Sequence, residues 1–161
     1  MLQKYFIGSL FIVLLLMGCA QSTAAYPNPE TETSASVSLP TLSGDWKIKM
    51  THSGGIMGLL RSIEVSSDRK YTVKDERANQ TFSGELGANE LAKLAEMVST
   101  SEYISPSGPN GMVCADCFVF DLEIQGSDST FTIQLNDISL PDSGMVPVVS
   151  YLRGLIDKAL K

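Results

Sequence analysis

Apolar and polar residues alternate along several short segments of the chain beyond residue 42. In residues 46–50, Trp46, Ile48 and Met50 alternate with lysines, which is the period-two pattern of a strand with one buried face. Short connections containing Gly, Ser or Asp separate several of these segments, so we expect neighbouring strands to run antiparallel. The predicted strands cover residues 46–50, 60–66, 70–74, 80–83, 118–124 and 131–135.

The apolar spacing becomes helical in two places. Between residues 88 and 101, the apolar positions Leu91, Leu94 and Val98 share one helical face. A second helix is predicted after residues 141–144, where Asp142 or Ser143 can cap the first amides. The order of strands, helix, hairpin and helix predicts an α+β fold, with an antiparallel sheet of about five to six strands packed by two helices.

The first part of the chain has the pattern of a secretory signal. Lys4 and the terminal amine precede an apolar run over residues 5–17, which is shorter than the about 20 residues of a membrane-spanning helix. The sequence Leu16-Met17-Gly18-Cys19 resembles the lipobox of bacterial lipoproteins. This resemblance implies cleavage before Cys19 and a diacylglyceryl group on its thiol, with acylation of the new amine giving a stable anchor. The alternative is an ordinary signal peptide that happens to contain a cysteine.

Composition divides the rest of the chain into a tether and one domain. Residues 20–41 are rich in Ser, Thr, Ala and Pro and poor in large apolar residues, which is typical of a flexible tether. We therefore assign residues 1–18 to the signal, residues 19–41 to the lipidated N-terminus and disordered tether, and residues 42–161 to the folded domain. The last range has the usual size of a domain with a single core.

The charge balance is acidic. The chain has 12 Lys and Arg against 18 Asp and Glu, a formal net charge of −6. Removal of the signal takes away Lys4, and the mature charge becomes 11 − 18 = −7. Such a surface argues against binding to nucleic acid and against adhesion to anionic lipid by charge. Membrane attachment then depends on the lipid anchor, and Ala20 favours the outer membrane if the cell has one.

Few residues suggest catalysis. His52 is the only histidine, and beside the glycines that follow it we expect an exposed residue at a strand end rather than a catalytic base. No second histidine could share a zinc ion with it. We therefore expect neither an enzyme nor a cofactor.

The pair Cys114 and Cys117 is the one chemical motif of the domain. A Cys-x-x-Cys sequence is found in redox couples, in halves of zinc sites and in small structural disulfides. A zinc site needs about four ligands, and the chain has no second such motif. Thioredoxin-type pairs lie at a helix N-terminus, whereas this pair opens a predicted strand. In an exported protein these observations favour a disulfide.

The glycine-rich loop after the first predicted strand is a candidate partner-binding site. It consists of Ser53, Gly54, Gly55, Ile56, Met57 and Gly58. It lacks the Gly-Lys-Ser/Thr ending of a phosphate-binding loop, and a strand rather than a helix follows it. Two interpretations stay open: a tight hairpin with Ile56 or Met57 packed inward, or a contact loop that presents both side chains to a partner.

Four motifs together resemble the emfourin-like family. They are the glycine loop, the helix entry Leu86…Glu90-Leu91…Leu94, the strand sequence of residues 116–120, and Leu140-Pro141 before the closing helix. The named member of this family is a proteinaceous inhibitor of protealysin, a thermolysin-type metallopeptidase. The resemblance covers roughly residues 46–160 and implies a compact α+β domain that binds a protein. It identifies no inhibitory residues, and this chain differs by its lipoprotein signal, its tether and Cys114 with Cys117.

The sequence therefore predicts a lipoprotein of the cell envelope with its domain outside the cytoplasm. We expect a protein-binding module, with inhibition of a secreted or surface metallopeptidase as the activity implied by the resemblance. Its other partner is the membrane, through the lipid anchor. The alternatives are a redox or metal-handling lipoprotein that uses Cys114 and Cys117, and a structural lipoprotein of the envelope.

Overall fold

A computed structural model describes residues 36–105 and 114–161 as ten elements of regular secondary structure. In chain order they are β1 (Ser36–Ser38), β2 (Lys47–Gly54), β3 (Leu59–Ser66), β4 (Lys70–Asp75), β5 (Gln80–Glu85), α1 (Ala88–Thr100), β6 (Glu102–Ile104), β7 (Phe118–Gln125), β8 (Thr130–Asn136) and α2 (Val146–Ala159).

Six of the strands form one antiparallel sheet in the order β5-β4-β3-β2-β7-β8. The strands from β2 to β5 follow one another as neighbours because their connections are short. The hairpin of β7 and β8 then adds to the free side of β2. The predicted α+β fold, with its antiparallel sheet and two helices, is confirmed.

Strand β2 occupies the centre of this sheet and pairs along all eight of its residues with both β3 and β7. Its inward residues Ile48 and Met50 are fully buried, as are Ile63 on β3 and Leu122 on β7. The lysines that alternate with them lie on the opposite face. The period-two pattern of the sequence thus separates a core face from an open, polar face.

The two helices cover the core face of the sheet. In α1, Leu94 and Val98 are buried, and Glu90 accepts a hydrogen bond from the Gly87 amide at 2.8 Å. Tyr151 of α2 donates a hydrogen bond to the Glu90 carbonyl at 3.0 Å and so joins the helices. The buried residues of α2 are Val148, Val149, Leu152, Leu155 and Ile156.

The start of α2 differs from the expected cap. No side chain caps the helix, and Pro147 lies in its first turn, where a missing N–H leaves no hydrogen bond unmade. Ser143 is fully buried ahead of the helix. Its hydroxyl donates to the Leu140 carbonyl and accepts from the Met145 amide, so it stabilises the approach to α2 instead of its first turn.

Two short strands have no counterpart in the sequence prediction. Strand β1 lies within residues 19–41, which the sequence assigned to the tether, and it pairs with β6, which follows α1 in the chain. Pro40 is buried, and the Thr41 carbonyl accepts hydrogen bonds from the Ser127 amide and hydroxyl. Residues 36–41 therefore belong to the folded structure. Three-residue strands have too few positions to show an alternating pattern, and here tertiary contacts hold them.

The predicted cleavage motif and Cys19 lie outside the described residues, as do residues 106–113. None of the helices within the described ranges is long and apolar enough to cross a membrane.

Candidate protein-binding site at the β2–β3 turn

The glycine-rich segment joins β2 to β3 in a tight turn, and we call residues 54–58 the tip. The Gly58 amide donates to the Gly55 carbonyl at 2.8 Å, which closes the turn around Ile56 and Met57. Gly54, Gly55 and Gly58 have φ values of +95°, +68° and +59°. These values lie in the left-handed region, which residues other than glycine adopt only with strain.

Both large side chains of the tip face solvent. Ile56 is 87% exposed and Met57 is 77% exposed, more than any other large apolar residue that the structure describes. The interpretation in which Ile56 or Met57 packs inward is wrong. A close turn with two central residues directs both side chains away from the sheet, so neither can reach the core.

The backbone of the tip rests against the start of β7. The Gly55 amide donates a hydrogen bond to the Cys117 carbonyl at 3.1 Å. A Cβ atom on Gly54 would lie 2.3 Å from that same carbonyl oxygen, and one on Gly55 would lie 2.6 Å from the Phe118 ring. Glycine is therefore required at Gly54 and Gly55 both for the backbone angles and for the close approach of β7.

A disulfide lies beside the tip. Cys114 and Cys117 are joined, with their Cα atoms 5.3 Å apart, immediately before β7. The next residue, Phe118, is held by Asp137: its amide donates to the carboxylate at 2.8 Å, and its carbonyl accepts from the Asp137 amide at 3.2 Å. The segment that supports the tip is thus fixed by a covalent link on one side and by hydrogen bonds on the other.

Ser53 is the one residue of the predicted loop that lies outside the tip. Ser53 is on the open face of the sheet, where its register partners are Leu60 and Val119. The Gly58 carbonyl accepts a long hydrogen bond of 3.4 Å from Arg77 in the β4–β5 turn. Two further exposed apolar side chains lie at this end of the sheet: Leu60, with 40% exposure, and Ile138 in the loop after β8, with 46% exposure.

His52 does not have the exposed position that we expected. It is only 7% exposed, because it occupies the same face of β2 as Ile48 and Met50. Its ring stacks on Phe120 with 4.8 Å between the ring centroids and meets Phe118 edge-on at 4.9 Å. The Nε2 atom has no hydrogen-bond partner among the residues that the structure describes.

Charged side chains surround this histidine at the end of the core. Arg61, its register partner on β3, donates to the Asp75 carboxylate at 2.9 Å and lies 4.0 Å from Asp157 of α2. The guanidinium carbon of Arg153 lies 5.6 Å from the centroid of the Phe120 ring. Burial, reinforced by the two arginines, lowers the pKa of His52 from 6.5 to about 4.

His52, Arg61 and Asp75 form a polar row, and the core-face position of its first two members had a signal in the sequence. Arg61 has the same parity on its strand as Ile63 and Val65, and His52 has the parity of Ile48 and Met50. Strand alternation therefore places both polar residues on the core face. The hydrogen bond from the Ala78 amide and the ion pair with Arg61 lower the pKa of Asp75, which keeps this carboxylate charged and the row in place.

The site combines a buried histidine with an exposed apolar turn. His52 lies beneath two phenylalanine rings, where burial disfavours its protonated form. Within residues 36–105 and 114–161, no group of three or more His, Cys, Asp or Glu side chains is placed to hold a metal ion. The other feature of the site is a hydrogen-bonded turn with two exposed apolar side chains.

Comparisons with protein-family models, with curated proteins and with solved structures found no match for this chain.

Substitution of Gly54 by alanine tests the close contact with β7. We expect Gly54→Ala to lower the free energy of unfolding by about 3 kcal/mol, because backbone strain adds to the collision with the Cys117 carbonyl. Gly44→Ala is the matched control, since Gly44 also has a positive φ but has open space around it. It should cost about 1 kcal/mol. If urea unfolding showed equal losses of stability for Gly54→Ala and Gly44→Ala, the close approach of Gly54 to the Cys117 carbonyl would have no energetic effect.

The buried histidine predicts a specific acid sensitivity. The pKa of His52 is about 4 in the folded chain and 6.5 as its reference value, so its stabilising effect is present above pH 6.5 and is lost as the pH falls towards 4. Between pH 7 and pH 5 we expect a loss of about 2 kcal/mol in the free energy of unfolding. The variant His52→Phe should lack this slope. An unchanged slope in that variant would contradict the assignment, since no other histidine exists.

Proposed function

We propose that this protein is a lipoprotein of the cell envelope, anchored through Cys19, whose domain binds another protein through the tip. The observation that carries the proposal is the exposure of Ile56 and Met57 on a backbone that β7 holds in place. At these exposures neither side chain packs in the core of the domain. Their burial requires a second molecule.

The energetics of the tip support a binding role. Burial of an Ile or Met side chain contributes about 1.5–3 kcal/mol, and binding energy in interfaces is concentrated in a few such central residues. The hydrogen bond from Gly55 to Cys117 orders the turn before a partner arrives. Less conformational entropy is therefore lost on binding than a flexible loop would lose.

A thermolysin-type metallopeptidase is the partner that we propose, with inhibition as the result of binding. This choice is supported by the resemblance of residues 46–160 to the emfourin-like family, which includes the glycine loop itself. A convex apolar turn also has the shape needed to enter the cleft of a peptidase. An anchored inhibitor would protect the envelope from peptidases that reach the cell surface.

The disulfide provides the test of the alternative, a redox or metal-handling function. Cys117 contributes its carbonyl to the tip, and this contact needs no thiol chemistry. The double variant Cys114→Ser/Cys117→Ser should keep peptidase binding if the disulfide only supports the loop, because the ring that it closes is small and restrains little entropy. Complete loss of function in a folded double variant would favour the redox alternative.

The anchor can be tested directly on the natural product. Mass spectrometry of the protein extracted from membranes should show an N-terminus at Cys19 that carries acyl chains, and Cys19→Ser should release the protein from the membrane fraction. Ala20→Ser is the control and should leave the anchor intact. A mature N-terminus at another residue, or an unmodified Cys19, would contradict the proposed anchor.

The tip can be tested with charged substitutions in the full chain. Ile56→Asp/Met57→Asp should weaken inhibition and binding of a susceptible thermolysin-type peptidase at least about 100-fold, the loss expected when two buried apolar contacts disappear. Val146→Asp is the matched control. Val146 is 39% exposed at the start of α2, where a carboxylate is also compatible with the helix dipole.

The inhibition constant and the equilibrium affinity should be measured across a panel of such peptidases. If the unsubstituted chain neither binds nor inhibits any of them, the proposed partner class is wrong. If the Ile56→Asp/Met57→Asp variant binds as well as the unsubstituted chain, the proposed surface is wrong.

A further inference from the structure

The two edges of the six-stranded sheet differ in composition. The edge strand β5 contains Gly84 and the charged Glu85, which pairs with Arg69. The opposite edge strand, β8, has the sequence TFTIQLN, with no charged residue, no proline and no glycine. Charges, prolines and bulges are the usual devices that prevent an edge from pairing with another chain. Strand β8 has neither a charged residue nor a proline.

The main chain of β8 presents unused hydrogen-bonding groups. The Asp137 amide bonds to the Phe118 carbonyl, so alternation along the ladder directs the main-chain groups of Leu135, Ile133 and Phe131 towards β7. Those of Thr130, Thr132 and Gln134 point outward. No hydrogen bond joins these outward N–H and C=O groups to another residue within the ranges that the structure describes.

The core face of β8 is incompletely covered at this edge. Phe131 and Ile133 are only half-buried, whereas Leu135 is 2% exposed. Tyr103 of β6 covers one side of Phe131, with 5.6 Å between the ring centroids. An added strand with apolar residues on the same face would complete the burial of Phe131 and Ile133.

We propose that β8 pairs with β8 of a second copy of this chain, antiparallel and about a two-fold axis at Thr132. In this register Thr132 faces its counterpart and Thr130 faces Gln134. Every outward N–H and C=O of these three residues then has a partner. On the core face, Phe131 of each copy lies opposite Ile133 of the other, an aromatic and β-branched pair that stabilises a ladder.

In this register the strand is complementary to itself, which favours a second copy as the occupant. The chain has a net charge of −6, yet no charged side chain of β8 would meet its counterpart in this pairing. Asp128 and Asp137 flank β8 in the chain, and the Asp137 carboxylate is directed towards β7, where it accepts a hydrogen bond from the Phe118 amide. Asp121 and Glu123 are on β7, and Gln134 donates to Asp121 at 2.7 Å. The two β7 strands would be three strand spacings apart, roughly 14 Å. At that distance the carboxylates are largely screened at physiological ionic strength.

The pairing involves a single strand from each copy, so it buries little surface. We therefore expect a weak, reversible dimer, as for interfaces below the standard size. The surface is separate from the tip, and the pairing is independent of the proposed function. Loss of the dimer would leave peptidase binding by the tip unchanged.

A lysine on the edge strand tests the pairing. Sedimentation equilibrium of the full chain in detergent should show a reversible dimer, and Thr132→Lys should make it monomeric at concentrations where the unsubstituted chain is mostly dimeric, because two cations would meet at the axis. Thr81→Lys is the matched control: Thr81 is also an exposed threonine on an edge strand, β5, and its variant should dimerise normally. A monomer at all concentrations, or a dimer that survives Thr132→Lys, would overturn the proposal.

A cysteine at the same position tests the register in native membranes. Hydrogen-bonded antiparallel partners have Cα atoms about 5.5 Å apart, within the range that a disulfide spans. Thr132→Cys should therefore form a covalent dimer on non-reducing gels after mild oxidation, and Thr81→Cys should form at least about ten times less. Equal cross-linking of the two variants would show that copies meet by collision alone and would overturn the register.

Discussion

Strand β2 pairs with β3 on one side and with β7 on the other along its whole length, and the other features of the domain follow from this double ladder. Because both neighbours continue to the last residue, the chain leaves β2 at Gly54 directly beside the first residues of β7. A side chain at Gly54 would collide with the Cys117 carbonyl. The same pairing that builds the centre of the sheet therefore requires glycine at the turn and fixes where the turn points.

His52 precedes Gly54 by two residues on β2. With Arg61 and Asp75 it forms a polar row on the core face of the sheet. The core is polar at this end of the sheet. The last turns of α2 cover it there and contribute the charged residues Arg153 and Asp157. Arginine with two carboxylates can be partly buried because its planar guanidinium forms several directed contacts. The histidine is accommodated as a neutral aromatic ring, stacked against phenylalanine.

The tip and the β8 edge are two kinds of surface that the core does not use. At the tip, exposed apolar side chains extend from a turn held by backbone contacts, which suits a pocket on another protein. At the edge, unused backbone groups and half-buried apolar residues suit another strand. Neither residues 54–58 nor strand β8 contains a charged side chain, so the associations proposed at these two surfaces depend on close contact and little on long-range attraction.

The sequence by itself determined the fold class, because strand alternation and helical spacing act over a few neighbouring residues and six strands and two helices all show them. It also predicted the Cys114–Cys117 disulfide from spacing and compartment. Only the tertiary structure decided which side chains the turn exposes, since the close turn set by the register of β2 with β3 is what excludes inward packing of Ile56 and Met57. Strands β1 and β6, the burial of His52 and the unequal sheet edges likewise depend on contacts between distant residues, which local pattern does not encode.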